Sequence, residues 1–134
     1  MPTIFSKIIN GEIPCYKVAE TEQYLAFLDV RPLAAGHTLV IPKTEVDYIF
    51  DMDDELFAGL HLFAKIVAKG IRAAIPCKRI GVAVIGLEVP HAHIHLVPMN
   101  EIGDLNFEKE RVLLTPEQYT AIVESIRKEL SLLS

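Results

Sequence analysis

The stretch His-Ala-His-Ile-His-Leu-Val-Pro, residues 91–98, places an imidazole at every second position of a short apolar run. In an extended strand, successive side chains alternate between the two faces of the sheet. The three imidazoles of His91, His93 and His95 are therefore predicted to share one face, while the apolar residues between them point into the core. This pattern makes a half-buried sheet the organising element of the fold.

Three of the five histidines of the chain fall within these five positions, which is hard to assign to packing. A buried row of imidazoles needs a hydrogen-bond partner for every ring, and charging one ring disfavours charging the next. Neutral imidazole is a common metal ligand, so a zinc site is one interpretation. The other is metal-free chemistry in which one ring attacks phosphorus. The outer pair would lie ~13 Å apart at Cα, which suits an extended phosphate better. The residues alone leave both open.

The patterns upstream of the histidines predict a small helix followed by three short strands. Residues 4–9 form one or two helical turns that end at the Asn10-Gly11 turn signal. Short β-branched or aromatic runs bounded by Pro, Gly or charge then predict strands. These run from Tyr16 to Ala19, from Tyr24 to Asp29 and from His37 to Ile41.

A long helix is predicted from a cap at Asp53 or Asp54 to about Ala74, because apolar residues recur at spacings of three and four. His61 lies on its opposite, solvated stripe. Arg79 to Ile85 reads as a strand buried on both faces. A last amphipathic helix covers residues 115–132, opened by a cap residue and a proline. The sum predicts an α+β domain with helices packed on one face of an antiparallel sheet.

Length and composition restrict the function classes. The 134 residues suffice for a single domain, here 1–134. A net charge of −5 argues against a polymeric nucleic acid partner but allows a mononucleotide. No apolar run is long enough to span a membrane and the start does not resemble a signal peptide, so we expect a cytoplasmic protein. Cys15 and Cys77 are far apart, which predicts reduced thiols.

Three blocks of the sequence resemble the histidine triad (HIT) family, in particular its Hint-like branch of nucleotide hydrolases and transferases. They are IFSKIINGEIP near the start, FLDVRPLAAGHTLVIPK in the middle and HAHIHLVP, together within residues 3–98. The resemblance implies a five-stranded antiparallel sheet with two main helices, usually paired into a homodimer. It implies cleavage at the α-phosphate of a purine nucleotide, in a phosphoramidate, mixed anhydride or ester, with no cofactor and no metal.

The resemblance also implies roles for single residues. His93 would be the nucleophile that forms a nucleotidyl-histidine intermediate, with His91 and His95 flanking the phosphate. His37 matches a fourth histidine beside the triad, and Asp29 an acidic residue that accepts hydrogen bonds from the ribose hydroxyls. The apolar wall against the base would comprise Phe5, Ile8, Ile13, Phe27 and Val30.

The chain departs from the family in two places. Many members carry an amide and a hydroxyl before the triad, where this chain has Leu87 and Glu88. We expect Glu88 to act as a proton donor or as a partner of a histidine. Some bacterial members hold structural zinc through two cysteines, where this chain has Thr3 and Ser6, so we expect no such site. A non-catalytic nucleotide-binding or scaffold protein is the second hypothesis, and a metallohydrolase the third.

Overall fold

The computed structural model describes residues 3–133, in which a five-stranded antiparallel sheet has the order β1-β2-β3-β5-β4. The strands are β1 Lys17–Glu20, β2 Tyr24–Leu28, β3 Thr38–Pro42, β4 Arg79–Ala83 and β5 Ile94–Met99. The helices are α1 Ile4–Ile9, α2 Asp54–Ala74 and α3 Pro116–Leu133. The predicted α+β class, with five antiparallel strands and two main helices, is confirmed.

Helices α2 and α3 cover one face of the sheet. The Asp53 carboxylate caps α2 by accepting a hydrogen bond from the backbone N–H of Leu56 at 2.9 Å. The apolar stripe of the helix then packs against alternate residues of the strands and against α3. The main buried members are Leu60, Phe63, Val67 and Ile71 of α2, Val123 and Ile126 of α3, and Ala26, Val40, Ile94 and Leu96 of the sheet.

Helix α1 packs on the opposite face, which the predicted single helical layer did not include. Its Phe5 is buried with a separate set of strand residues, namely Leu25, Phe27, Leu39 and Ile41. A six-residue helix has room for little more than one buried anchor, and Phe5 is that anchor. The helix therefore fixes one large ring against the face that also carries the histidines.

The prediction that Arg79 to Ile85 is a strand buried on both faces is wrong. Strand β4 ends at Ala83 and forms an edge of the sheet, where it pairs only with β5. The Val82 side chain is 58% exposed. An apolar, β-branched run has the same appearance in an edge strand as in a central one, because the sequence does not say whether a second neighbour exists.

Strand β5 begins at Ile94, so only His95 of the triad lies within the ladder. Ahead of it, the Ala92 N–H donates to the Val46 carbonyl at 2.7 Å, which ties the approaching chain to the segment after β3. His95 is opposite Leu39 in β3. Ala92 and Ile94 nevertheless point into the α2 core as expected.

Within residues 3–133, none of the helices combines the length and the apolar character that a membrane crossing requires. Cys15 and Cys77 are free thiols.

Candidate active site

The imidazole rings form a row along the α1 face of the sheet. The rings of His93 and His95 are 4.8 Å apart between centroids, and those of His95 and His37 are 5.3 Å apart. Phe5 contacts the rings of both His91, at 5.8 Å, and His93, at 5.0 Å. The structure thus brings all four predicted histidines together, with the aromatic anchor of α1 against one end.

His93 is held by a backbone hydrogen bond that sets its tautomer. Its Nδ1 lies 2.8 Å from the carbonyl oxygen of His91. Because a carbonyl can only accept, Nδ1 carries the proton, and in the neutral ring the lone pair is on Nε2. Among residues 3–133, none forms a hydrogen bond with Nε2. Every fully buried side-chain nitrogen in that range has a hydrogen-bond partner, so Nε2 is not fully buried. The lone pair of His93 therefore reaches solvent.

His37 and His95 form a second hydrogen-bonded pair with defined protons. The backbone N–H of Leu33 donates to His37 Nδ1 at 2.9 Å, so the proton of His37 is on Nε2. That Nε2–H donates to His95 Nδ1 at 3.0 Å. His95 in turn carries its own proton on Nε2, the atom that faces away from His37. The pair presents a fixed N–H donor next to His93.

Burial keeps this pair uncharged. Burial, together with the neighbouring charges of His95, Arg111 and His93, lowers the pKa of His37 to about 3. Burial, followed by repulsion from His93 and Arg111, lowers the pKa of His95 to about 4. Both rings are therefore neutral at pH 7, and His95 acts there as a hydrogen-bond donor rather than as a cation.

His91 differs from the other two triad members because neither of its nitrogens is free. Nε2 donates to the carbonyl oxygen of Pro42 at 2.8 Å, and Nδ1 lies 3.4 Å from the Thr3 hydroxyl. The side chain is fully buried, and burial lowers its pKa against the opposing effects of the Pro42 carbonyl and Glu45. The geometry favours an orienting role for His91 over direct contact with a phosphate.

Asp29 follows β2 and lies beside His37. One carboxylate oxygen accepts a hydrogen bond from the backbone N–H of Arg31 at 2.8 Å, and the other is 3.6 Å from His37 Nε2. Burial raises its pKa, against the lowering effects of the Arg31 hydrogen bond and the charge of Arg111. A half-buried carboxylate with unused acceptor positions can receive two hydroxyl groups.

The structure gathers only part of the predicted base wall at the histidine row. Phe5 and Phe27 pack edge to face at 5.7 Å, and Ile8 packs against the same buried cluster. Ile13 is half-buried outside that cluster. Val30 is 71% exposed, so its side chain could form part of the wall only once a ligand is bound.

The loop before the triad does not place Glu88 against a histidine. Glu88 is exposed and makes no hydrogen bond or ion pair with any residue from 3 to 133. Leu87 beside it is 90% exposed. The structure therefore gives no support to the expected partnership between Glu88 and an imidazole.

Two residues that the sequence did not single out complete the His95 end. The Phe107 ring lies edge-on to His95 at 4.6 Å and to His37 at 6.3 Å. Arg111 donates to the carbonyl oxygens of Arg31, at 2.6 Å, and Phe107, at 3.1 Å, with its guanidinium 5.6 Å from the Phe107 ring centre. No motif marks these residues, because the chain returns to the histidines only through the segment after β5.

A metal could be considered where Asp29, His37 and His95 offer ligand atoms within 4.8 Å of one another. Binding there needs a lone pair on His37 Nε2, which would move the ring proton to Nδ1. The N–H of Leu33 already points at Nδ1, so two donors would face each other. Metal binding at this cluster would therefore have to break the hydrogen bond between Leu33 and His37. Near α1, the Thr3 and Ser6 hydroxyls offer none of the thiolates that zinc prefers.

A family model described as the HIT domain matches residues 10–102. The chain belongs to the HIT family. The adenosine 5'-monophosphoramidase of Schizosaccharomyces pombe is 35% identical over 132 residues, which cover 97% of this chain and 99% of that relative. The family resemblance stated from the three sequence blocks is therefore confirmed.

Solved structures of HIT proteins share this fold. A hypothetical histidine triad nucleotide-binding protein from Sulfolobus tokodaii superposes with a TM-score of 0.83 at 31% identity, covering 97% of this chain and 93% of that one. A zinc-bound HIT family protein from Mycobacterium smegmatis gives 0.81 at 29% identity, covering 97% and 94%. The likeness spans nearly the whole described chain, including α3 beyond the matched family domain.

Proposed function

We propose that this HIT protein is a hydrolase or transferase that acts at the α-phosphate of a purine nucleotide, in a phosphoramidate, mixed anhydride or ester. The observation that carries the proposal is the hydrogen bond from His93 Nδ1 to the His91 carbonyl, which directs the Nε2 lone pair to solvent. An imidazole held in this way is an activated nucleophile that needs no separate base. The similarity to the S. pombe phosphoramidase supports the substrate class.

The reaction has two steps. His93 Nε2 attacks the α-phosphorus, so that an N–P bond forms and the bond to the leaving group breaks, its electron pair departing with the leaving group, which takes a proton from water. Water then attacks the same phosphorus and loses a proton, and the N–P electron pair returns to Nε2. The positive charge that develops on His93 is stabilised by its Nδ1–H donation to the His91 carbonyl.

The other site residues orient the substrate. The Nε2–H of His95, set by His37, donates to a non-bridging phosphate oxygen, where charge increases in the transition state. Asp29 accepts from the ribose hydroxyls. Phe5, Ile8 and Phe27 provide the apolar wall for the base, and Ile13 and Val30 extend it when ligand is bound.

The proposal is tested by trapping the intermediate. Wild-type protein mixed with an adenosine or guanosine phosphoramidate and quenched in milliseconds should gain the mass of one nucleotidyl group on the peptide containing His93. His93→Ala should gain none and should lose turnover. Normal turnover by His93→Ala would contradict the assignment.

The loop with exposed Leu87 and Glu88 is the feature that favours the alternative, a nucleotide-binding or scaffold protein without turnover. Calorimetric binding of a purine monophosphate, combined with no hydrolysis of any phosphoramidate, dinucleoside polyphosphate or nucleotide sugar, would establish that alternative.

We further propose that the protein is a homodimer. Edge strand β4 leaves backbone groups unpaired and exposes Val82, and α2 exposes Leu62 at 62% and Ile66 at 55%. A second copy would cover these apolar residues. Light scattering should give twice the monomer mass, and Ile66→Glu should reduce it to that of a monomer.

A further inference from the structure

Thr3, Ser6 and Glu45 form a hydrogen-bonded chain that runs from the protein surface to His91. The exposed Glu45 carboxylate accepts from the Ser6 hydroxyl at 3.1 Å. Ser6 and Thr3 then bond reciprocally, since the Ser6 N–H donates to Thr3 Oγ1 at 3.1 Å and the Thr3 N–H donates to Ser6 Oγ at 3.2 Å. This series of hydrogen bonds ends at His91, whose Nδ1 lies 3.4 Å from Thr3 Oγ1.

The proton positions at the two ends of this network follow from its partners, while the two hydroxyl oxygens also lie 3.2 Å apart, where either can donate to the other. The Pro42 carbonyl can only accept, so His91 carries its proton on Nε2 and presents a lone pair on Nδ1. The Thr3 hydroxyl donates to that lone pair. The Ser6 hydroxyl donates to Glu45, and both hydroxyl oxygens still accept from the backbone. No donor in the chain faces another donor.

The anchored residue also carries the carbonyl that holds the nucleophile. His91 fixes its ring through Thr3 and Pro42, while its carbonyl oxygen accepts from His93 Nδ1 at 2.8 Å. On the His93 side, the Phe5 ring packs 5.0 Å away, two residues after Thr3 in the chain. Without the Thr3 hydrogen bond, His91 would be held at one point fewer, and the two groups that orient His93 are the His91 carbonyl and the Phe5 ring, which packs on His91 as well.

We propose that Thr3 is a positioning residue for the nucleophile His93, acting through His91, in addition to its role as the cap of α1. The inference rests on the proposed function, because it assigns a kinetic effect to the orientation of His93. Ser6 and Glu45 stabilise the arrangement from the surface side. A role limited to capping would affect stability and leave turnover unchanged.

The chain offers a matched control for the capping role. Thr115 and Gln118 form the equivalent reciprocal pair at the start of α3, with bonds of 2.8 and 3.1 Å and no connection to a histidine. Thr115→Val and Thr3→Val each remove one hydroxyl from a capping box. Only Thr3→Val also removes the donor to His91.

Steady-state kinetics on adenosine 5'-phosphoramidate test the proposal. Thr3→Val should lower kcat about tenfold with KM within about twofold, because misorientation of a nucleophile acts on the chemical step. Thr3→Ser should restore kcat, and Thr115→Val should retain the wild-type kcat. Equal kcat values for Thr3→Val and Thr115→Val would overturn the proposal.

Nitrogen-15 spectra of histidine-labelled wild-type protein provide a test that depends neither on a variant folding nor on turnover. His91 should show a protonated Nε2 and a hydrogen-bonded, unprotonated Nδ1. A proton on Nδ1 would overturn the role of Thr3, whatever the kinetics. Absence of wild-type turnover on every phosphoramidate would instead contradict the proposed function, so the two failures are distinguishable.

Discussion

The two outer histidines of the triad are equally spaced from His93 along the chain, yet the structure treats them differently. His91 has both nitrogens occupied, by Pro42 and Thr3, and is fully buried. His95 receives one hydrogen bond from His37 and keeps its Nε2–H available. Equal spacing therefore does not mean equal chemistry, because the partner of each ring nitrogen decides which atom a substrate can meet.

The largest expected effect is a contrast between the same substitution at the two positions. His95→Phe removes the donor to the phosphate and should lower kcat by about 10²–10³-fold. His91→Phe removes the ring that donates to the Pro42 carbonyl and contacts the Thr3 hydroxyl, so it should cost ~1–3 kcal/mol of stability and a smaller, roughly tenfold loss of kcat. Urea unfolding and kinetics measure both quantities, and equal losses of kcat would remove the distinction.

Acid should destabilise the protein through the His95 end. The folded pKa values of His37 and His95, about 3 and about 4, lie below the ordinary 6.5. The unfolded chain therefore binds more protons between these limits, so the free energy of unfolding falls as the pH drops below about 6.5. The slope should be ~1 kcal/mol per pH unit for each of the two rings, with a further contribution in the same direction from His91, whose pKa is also lowered by burial.

Urea midpoints at pH 7, 6 and 5 measure that slope. Glu20, whose pKa is lowered to about 2, affects the pH dependence of stability mainly below this range. His37→Gln should flatten it, since one of the two rings no longer titrates. An unchanged slope would show that the pair is not the source of the acid sensitivity.

Phe107 should control the pH range of activity. Burial is the main cause of the low pKa values of His95 and His37, and the Phe107 ring lies against both side chains. Phe107→Ala should raise the pKa of His95 toward 6.5 and move the acid limb of kcat/KM upward by about one pH unit. Phe107→Leu, which keeps apolar cover, should move it less. A limb that stays in place in the Ala variant would assign the low pKa values to another cause.

Glu88→Gln should have the smallest effect. The carboxylate is exposed and forms no hydrogen bond or ion pair with any residue from 3 to 133. We expect turnover within about twofold of wild type and an unchanged pH profile, because a solvated side chain contributes little. A shifted pH profile would instead support the role that the sequence suggested for Glu88, as a proton donor or as a partner of a histidine.

The fold followed from the sequence where side-chain pattern alone decides structure. Alternation placed His95 and Ile94 on opposite faces, and spacing defined α2 to within a residue. The pattern failed for β4, because the position of a strand within the sheet depends on partners that are distant in the chain. It also placed His91 in a strand, although strand pairing starts only at Ile94.

Residues and roles for the site could be predicted from the sequence and the family resemblance, but the hydrogen-bond partners of each ring could not. The histidine row and Asp29 were recognisable from spacing and family resemblance. Thr3 was recognised only as a missing cysteine, because its bond to His91 joins residues 88 positions apart. Phe107 and Arg111 carry no local signal, since their closeness to the histidines comes from the path of the chain after β5.

Peptide groups largely determine which nitrogen of each ring in the site carries the proton. The N–H of Leu33 and the carbonyl oxygens of Pro42 and His91 each dictate where one ring proton lies. Peptide groups do not titrate in the range where proteins function, and most side-chain substitutions leave them unaltered. Side-chain substitutions in the surrounding loops would therefore leave the tautomers of the histidine row in place, because the groups that set them belong to the main chain.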